Sequence, residues 1–114
     1  MAESSDCAFC DILNGDAPGT IIVRDDEKRM ALIKSLRPES AVHWLAVPFE
    51  HENGTRVFEA TDSARFLELV EFAIDHTQAM AEHEAQLQRG FTIKMHFGSF
   101  ETIEHPKLHV LAME

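Results

Sequence analysis

Short apolar runs bounded by turn residues occur in five parts of the chain and predict five strands. These runs cover residues 20–24, 30–34, 43–47, 91–97 and 107–113. The acidic segment 25–28 joins the first two runs and indicates a hairpin, and Pro48 ends the third run. Five strands of this length are typical of a single sheet.

From Asp62 to about Gln88 the apolar spacing changes to three and four residues, which predicts one long helix. Its apolar stripe consists of Phe66, Val70, Ala73, Thr77 and Ala81. A shorter helix is expected near the N-terminus, capped by Asp6 and ending at Leu13. Strands grouped before and after one long helix favour the α+β class. We expect a five-stranded antiparallel sheet with one long helix and a short N-terminal helix.

The composition indicates one globular domain over residues 1–114 and restricts its partners. Hydrophobic residues make up 45% of the chain, and the formal net charge is −10. That charge repels the phosphates of nucleic acids and anionic lipids, and no apolar run approaches the roughly 20 residues of a membrane span. The first six residues, MAESSD, lack the basic start and apolar core of a signal peptide. We therefore expect a cytoplasmic protein that binds neither nucleic acid nor membranes.

Both cysteines of the chain, Cys7 and Cys10, lie in one CxxC motif. Their i, i+3 spacing on a helix would place both thiols on one side. In a reducing compartment this pattern favours a metal or redox role over a structural disulfide. With His51 and His105 the cysteines supply a Cys₂His₂ set that suits tetrahedral zinc. The alternative is a thiol pair buried in the core.

The last predicted strand carries three polar residues, His105, Lys107 and His109, at alternate positions. Alternate residues of a strand share one face. A polar trio within an otherwise apolar strand indicates a functional site.

Three segments resemble the histidine triad (HIT) superfamily, in particular its small Hint-like nucleotide-binding proteins. CAFCDI at 7–12 is similar to CxFCxI, HWLAVPFEH at 43–51 to HxLVxPxxH, and HPKLHVL at 105–111 to the closing HxHxHxx motif. The resemblance implies a HIT-like α+β fold and binding of a nucleotide or another small phosphorylated ligand. It also implies a homodimer formed through the long helix and the fourth strand.

The resemblance further implies a structural zinc. In zinc-retaining members of the superfamily the metal is held by the two cysteines, the histidine after the VPxx turn and the first triad histidine. The matching residues are Cys7, Cys10, His51 and His105. A zinc held by four protein ligands has no open position for catalysis.

The second triad histidine is the family's nucleophile, and Lys107 occupies that position here. An ordinary lysine, with a pKa near 10.4, is almost fully protonated at pH 7. This departure implies impaired nucleotidyl transfer. Three roles stay open for the amine: a nucleophile whose pKa is lowered by burial or a nearby cation, a phosphate clamp, or a solvated group at an inactive site.

The resemblance assigns five more residues to the ligand pocket. Ser35 stands where relatives carry an acid that holds the ribose hydroxyls, and Thr102 matches a serine on the leaving-group side. His43 and His109 match histidines that orient the site. His96 matches a histidine that lines the phosphate pocket in one branch. For the three histidines the alternative is a hydrogen-bonded structural role.

Three functions therefore stay open. The first is a zinc-stabilised binder of a nucleotide or phosphorylated ligand with impaired chemistry, whose catalytic candidates are Lys107, His109 and His43. The second is an active hydrolase of nucleotide phosphoramidates or dinucleotides that uses Lys107 or another residue. The third is a non-catalytic dimeric interaction module. We favour the first because the scaffold is retained while two active positions have changed.

Overall fold

The computed structural model describes residues 7–101, 103 and 105–112. Its strands are β1 Ile21–Asp25, β2 Met30–Lys34, β3 Val42–Pro48, β4 Thr92–Lys94 and β5 Leu108–Ala112. They form one sheet in the order β1-β2-β3-β5-β4, and every neighbouring pair is antiparallel. The α-helices are α1 Ala8–Leu13, α2 Thr55–Thr61 and α3 Ser63–Met80. The predicted α+β class with a five-stranded antiparallel sheet is confirmed.

Each face of the sheet buries its own set of apolar side chains, because successive residues of a strand point to opposite faces. On one face Phe72 of α3 packs in a cluster with Trp44 and Val110. On the other face Phe9 of α1 packs in a cluster with Leu45. The sheet is therefore a central layer between the long helix and the short N-terminal helix.

Helix α3 begins after Asp62, as predicted, and the Asp62 carboxylate caps it. Its predicted stripe is buried or half-buried against the sheet: Phe66, Val70, Ala73, Thr77 and Ala81. The helix ends at Met80 rather than near Gln88. Glu82 and Glu84 explain the difference, because acidic residues disfavour extension at the negative end of a helix dipole and no basic residue lies in the last turn.

Helix α2 is a correction to the prediction of two helices. It has seven residues, TRVFEAT, and is anchored by Phe58, which is almost fully buried. Two threonines and a valine lower its helix propensity, and two turns are too short to reveal a period. The sequence therefore carries little signal for α2.

Within the described residues, no helix has both the length and the low polarity that crossing a bilayer demands.

The N-terminal helix is capped by Cys7, whose Sγ accepts a hydrogen bond from the Cys10 N–H at 3.4 Å. The predicted cap, Asp6, lies outside the described residues. As predicted, the helix stops at Leu13. The thiol that begins the CxxC motif thus also begins the helix.

The last two strands are shorter than predicted. β4 ends at Lys94 rather than at residue 97, and β5 begins at Leu108 rather than at 107. The ladder stops there because the Lys107 N–H donates to the Thr55 Oγ1 of α2 at 3.3 Å instead of to a strand. Residues 105 and 107 therefore belong to a segment that bends away from β4.

Candidate metal centre and ligand pocket

Four side chains converge where α1, the end of β3 and the segment before β5 meet. They are Cys7, Cys10, His51 and His105, whose ligand atoms all lie within 4.8 Å of one another. His105 Nδ1 lies 3.4 Å from Cys7 Sγ and 3.6 Å from Cys10 Sγ, and His51 Nδ1 lies 3.4 Å from Cys10 Sγ. A tetrahedral zinc with ordinary bond lengths separates a sulfur and a nitrogen ligand by about 3.6 Å. The measured separations fit that geometry.

The protonation of His105 also suits a metal ligand. Its Nε2 donates to the Pro48 carbonyl oxygen at 2.9 Å. This hydrogen bond requires the proton on Nε2 and leaves the lone pair on Nδ1, which faces the thiols. Burial lowers the pKa of His105 to about 4 and keeps the ring neutral. The backbone of β3 thus prepares His105 to bind a cation.

The Cys10 thiol needs a cation to ionise. Burial, followed by the hydrogen bond and charge of Cys7, raises the pKa of Cys10 to about 12. Because a cysteine binds zinc only as a thiolate, metal binding would release protons, and the zinc affinity would fall as the pH falls. The donor set fits zinc, which would join α1 to the end of β3 and to the segment before β5 and would be fully ligated by protein.

The Lys107 amine points into the protein. The residue is 4% exposed, and its Nζ donates to the carbonyl oxygens of Ile103 at 2.5 Å and His105 at 2.9 Å. A carboxylate oxygen of Glu101 lies 3.5 Å from the same Nζ. An ammonium has three hydrogens, and each has an oxygen partner here. The alternative of a solvated lysine is therefore wrong.

Glu101 connects this ammonium to α2. Its carboxylate accepts from the Thr55 N–H at 3.0 and 3.1 Å and from the Thr55 hydroxyl. Gly54 has a φ of +115°, a backbone conformation that favours glycine, and a Cβ there would also come within 2.9 Å of a Glu101 carboxylate oxygen. Burial lowers the pKa of Lys107, and the charge of Glu101 opposes that shift. The buried pair ties Glu101 and Lys107 to α2.

His43, His96 and His109 lie together on the α1 face of the sheet. The His43 Nε2 and His109 Nδ1 atoms are 3.0 Å apart, and the rings of His96 and His109 have centroids 4.6 Å apart. Burial lowers the pKa values of His43 and His109, the latter to about 4. At pH 7 these two rings are therefore neutral.

Hydrogen bonds assign the protons of this pair. The Glu39 backbone N–H donates to His43 Nδ1 at 3.0 Å, so the His43 proton lies on Nε2 and is donated to His109 Nδ1. The His109 proton then lies on its Nε2. Among the described residues, that buried nitrogen has no hydrogen-bond partner. It is a donor available to an acceptor oxygen of a ligand.

We expect the His109 environment to make stability depend on pH. Its folded pKa of about 4 lies below the ordinary value of 6.5, so the unfolded state binds more protons between these values. The contribution is fully present above pH 6.5 and is lost as the pH falls towards 4. For this half-buried ring we expect a loss of about 1–3 kcal/mol.

Urea unfolding of the wild type and His109→Gln at several pH values between 7 and 4 measures this effect. The difference between the two proteins cancels the contributions that they share. The stability difference should shrink or reverse as the pH falls. Parallel stability curves would contradict the assignment.

Two predicted pocket residues remain, Ser35 and Thr102, and the structure describes the first of them. The Ser35 Oγ accepts from the Arg37 N–H at 3.2 Å, and the Ser35 N–H donates to the His43 carbonyl at 2.9 Å. Ser35 thus holds the turn between β2 and β3 beside the histidine pair. Thr102 lies outside the described residues.

The sequence does not predict three polar residues of the site, Glu39, Lys94 and Glu101. Lys94 lies opposite His109 in the β4–β5 register, its Nζ is 3.1 Å from a Glu39 carboxylate oxygen, and Glu101 holds Lys107. Lys94 could have been found, because it lies two residues before His96 and alternate strand residues share a face. Glu39 and Glu101 lie in irregular segments that carry no periodic signal.

Comparison with known proteins identifies the family. Residues 6–114 match the family model described as "Scavenger mRNA decapping enzyme C-term binding". The chain is 26% identical over 113 residues to mouse (Mus musculus) adenosine 5'-monophosphoramidase HINT3. That alignment covers 95% of this chain but only 64% of the mouse protein, so the chain spans less than two thirds of this curated relative.

Two solved structures are similar over nearly the whole chain. A zinc-bound histidine triad family protein from Mycobacterium smegmatis has a TM-score of 0.81 and 27% identity, with 97% of this chain and 77% of that chain covered. A histidine triad protein from Clostridium difficile has a TM-score of 0.77 and 28% identity, with 96% and 91% covered. The chain belongs to the family of this decapping-enzyme domain, within the histidine triad superfamily.

Proposed function

We propose that this protein binds a nucleotide or another small phosphorylated ligand at the His43–His109 pair, and that nucleotidyl transfer at position 107 is impaired. The observation that carries the proposal is the state of Lys107. Its ammonium donates to three oxygens and is 4% exposed. An amine in that state has neither the free lone pair of a nucleophile nor a free hydrogen for a phosphate.

The histidine pair supports a phosphate as the ligand group. The His109 Nε2–H is a buried donor without a partner among the described residues, and it suits an acceptor oxygen. Lys94 adds positive charge beside the pair in a chain with a net charge of −10. The acidic surface of the chain would repel a nucleic acid, so the His109 and Lys94 donors favour a small anion as the ligand.

We also propose a structural zinc on Cys7, Cys10, His51 and His105. The thiol and imidazole donors and the tautomer of His105 support it, as does the zinc-bound relative from Mycobacterium smegmatis. The zinc would stabilise the fold, with the chemistry left to other residues. Because zinc thiolates require both cysteines to stay reduced, we propose that the protein lies in the cytoplasm.

Calorimetric titration with AMP, with adenosine as the control ligand, tests the binding function. AMP is a suitable probe because the mouse relative is named as an adenosine 5'-monophosphoramidase. We expect AMP to bind and adenosine to bind at least tenfold more weakly. His109→Ala should weaken AMP binding about tenfold, which corresponds to about 1.4 kcal/mol. The control His83→Ala removes an exposed histidine and should change nothing.

Failure of AMP to bind, or equal binding by His109→Ala and the wild type, would overturn the binding function.

The variant Lys107→His separates the effects of the two changed positions, 107 and 35. Phosphoramidate hydrolysis gained by Lys107→His would indicate that only the nucleophile is missing. Continued inactivity would indicate that Ser35 also limits the reaction.

We further propose a homodimer through α3 and β4. β4 is an edge strand, with β5 as its partner in the sheet, and an open edge can pair with a second copy. Leu67 and Ile74 lie two turns apart on α3, and both are exposed apolar residues. Sedimentation should find a dimer that Leu67→Glu with Ile74→Glu dissociates. Val57→Glu, a change at an exposed valine of α2, is the control, and a monomeric wild type would contradict the dimer.

A further inference from the structure

An exposed ion pair between Glu39 and Lys94 lies beside the His43–His109 pair. Lys94 is the last residue of β4 and pairs with His109 of β5. Directly opposed residues of two antiparallel strands present their side chains on the same face. Glu39 lies in the segment between β2 and β3, and its Oε1 is 3.1 Å from Lys94 Nζ. The pair therefore joins β4 to the segment between β2 and β3.

Both members of this pair are connected to the histidines. The Glu39 backbone N–H donates to His43 Nδ1 at 3.0 Å, and His43 contacts His109 at 3.0 Å. These contacts form a ring. It runs from the Glu39 backbone through His43 and His109 to Lys94, and returns through the Glu39 carboxylate. The positive charge of Lys94 also lowers the pKa of both histidines. The register places Lys94 next to His109 on the same face of the sheet.

The Glu39–Lys94 pair differs from the buried Lys107–Glu101 pair in accessibility. The side chains of Lys94 and Glu39 are 40% and 55% exposed, whereas those of Lys107 and Glu101 are 5% exposed each. Exposed ion pairs are weak because water screens the charges and the long side chains lose entropy. A ligand oxyanion can therefore displace the Glu39 carboxylate from Lys94 far more easily than it can displace Glu101 from Lys107.

We infer that Lys94 is a phosphate-binding residue of the pocket, with Glu39 as a resting partner that the ligand displaces. The inference rests on the proposed binding function. One oxygen of the phosphate accepts from the unpartnered His109 Nε2–H, and another takes the place of the Glu39 carboxylate beside the Lys94 ammonium. The positive charge that faces the ligand is then supplied by Lys94 of β4 rather than by Lys107.

Calorimetric titration of three variants with AMP tests this assignment. Lys94→Met should weaken AMP binding about tenfold because the ammonium is lost. Glu39→Gln should strengthen it about threefold to tenfold, since the competing carboxylate is removed while the backbone N–H to His43 stays. The double variant should bind like Lys94→Met alone, because Glu39 acts only through Lys94. Lys94 and Glu39 are both exposed at the surface, and melting temperatures verify that each variant folds.

Lys34→Met is the matched control. Lys34 is an exposed lysine at the end of β2, and it pairs with Trp44, whose side chain lies in the core on the opposite face of the sheet from His43. The Lys34→Met change removes the same charge as Lys94→Met, and it should change the AMP affinity less than twofold. If AMP binds and His109→Ala weakens it, but Lys94→Met behaves like Lys34→Met, the role of Lys94 is overturned and the binding function stands. An unchanged affinity in Glu39→Gln overturns the displacement step.

Discussion

His51→Ala is expected to lower the melting temperature of the zinc-loaded protein by roughly 10 °C or more. His51 is exposed, so its removal leaves no cavity, and an ordinary surface substitution costs less than about 0.5 kcal/mol. We propose His51 as one of four zinc ligands, so its loss should weaken zinc binding at least 100-fold, which corresponds to about 2.7 kcal/mol of linked stability. The effect depends entirely on the cation, which makes an exposed ligand a sharper probe than a buried cysteine.

His83→Ala is the control because His83 is an equally exposed histidine outside the cluster. Metal content and calorimetry should be recorded on the same samples. The wild type and His83→Ala should hold one zinc per chain, and His51→Ala should hold less. After chelation all three proteins should melt at similar temperatures. A His51→Ala protein that keeps its zinc and melts like His83→Ala would remove the metal centre.

Lys107→Met is expected to destabilise the protein by about 3–5 kcal/mol. Methionine has a similar length but no charge, so the change leaves the Glu101 carboxylate buried without its cation. Breaking a buried ion pair by removing one partner typically costs this much. It also deprives the carbonyls of Ile103 and His105 of their donor. Urea unfolding measures the loss.

Two further variants show that the loss belongs to the pair. Lys34→Met, which removes an exposed lysine, should stay within about 0.5 kcal/mol of the wild type. Lys107→Met combined with Glu101→Gln should cost less than the sum of the single changes, by about 1 kcal/mol or more. If Lys107→Met is as mild as Lys34→Met, the ammonium is not the structural cross-link described here.

The sequence predicts most of the fold because its apolar periodicity is strong. The β1–β2 hairpin, the fully buried β3 and the stripe of α3 follow from short apolar runs and from helical spacing. It does not predict α2, whose seven residues have poor helix propensity. It also places the end of α3 too late, because Ala81 and Ala85 continue the four-residue apolar spacing after the helix has ended at Met80.

The candidate site is only partly readable from the sequence. The spacing of the CxxC motif and the alternation in 105–109 identify residues by type and face. They cannot reveal the direction of a long flexible side chain. The alternation predicts that Lys107 shares a strand face with His109, yet Lys107 lies just before β5 and its ammonium turns to Glu101 and two carbonyls. That direction depends on Gly54 and Thr55, which are about fifty residues away and become neighbours only in the folded chain.

Intact-mass spectrometry after incubation with adenosine 5'-phosphoramidate tests the central claim most directly, with zinc content recorded on the same sample. The Lys107 ammonium is held by three oxygens as a structural cross-link, so it should not attack the phosphoramidate. We expect the mass of the wild type to stay unchanged at all times of incubation. A covalent adenylyl group that peptide mapping locates on Lys107 would contradict it.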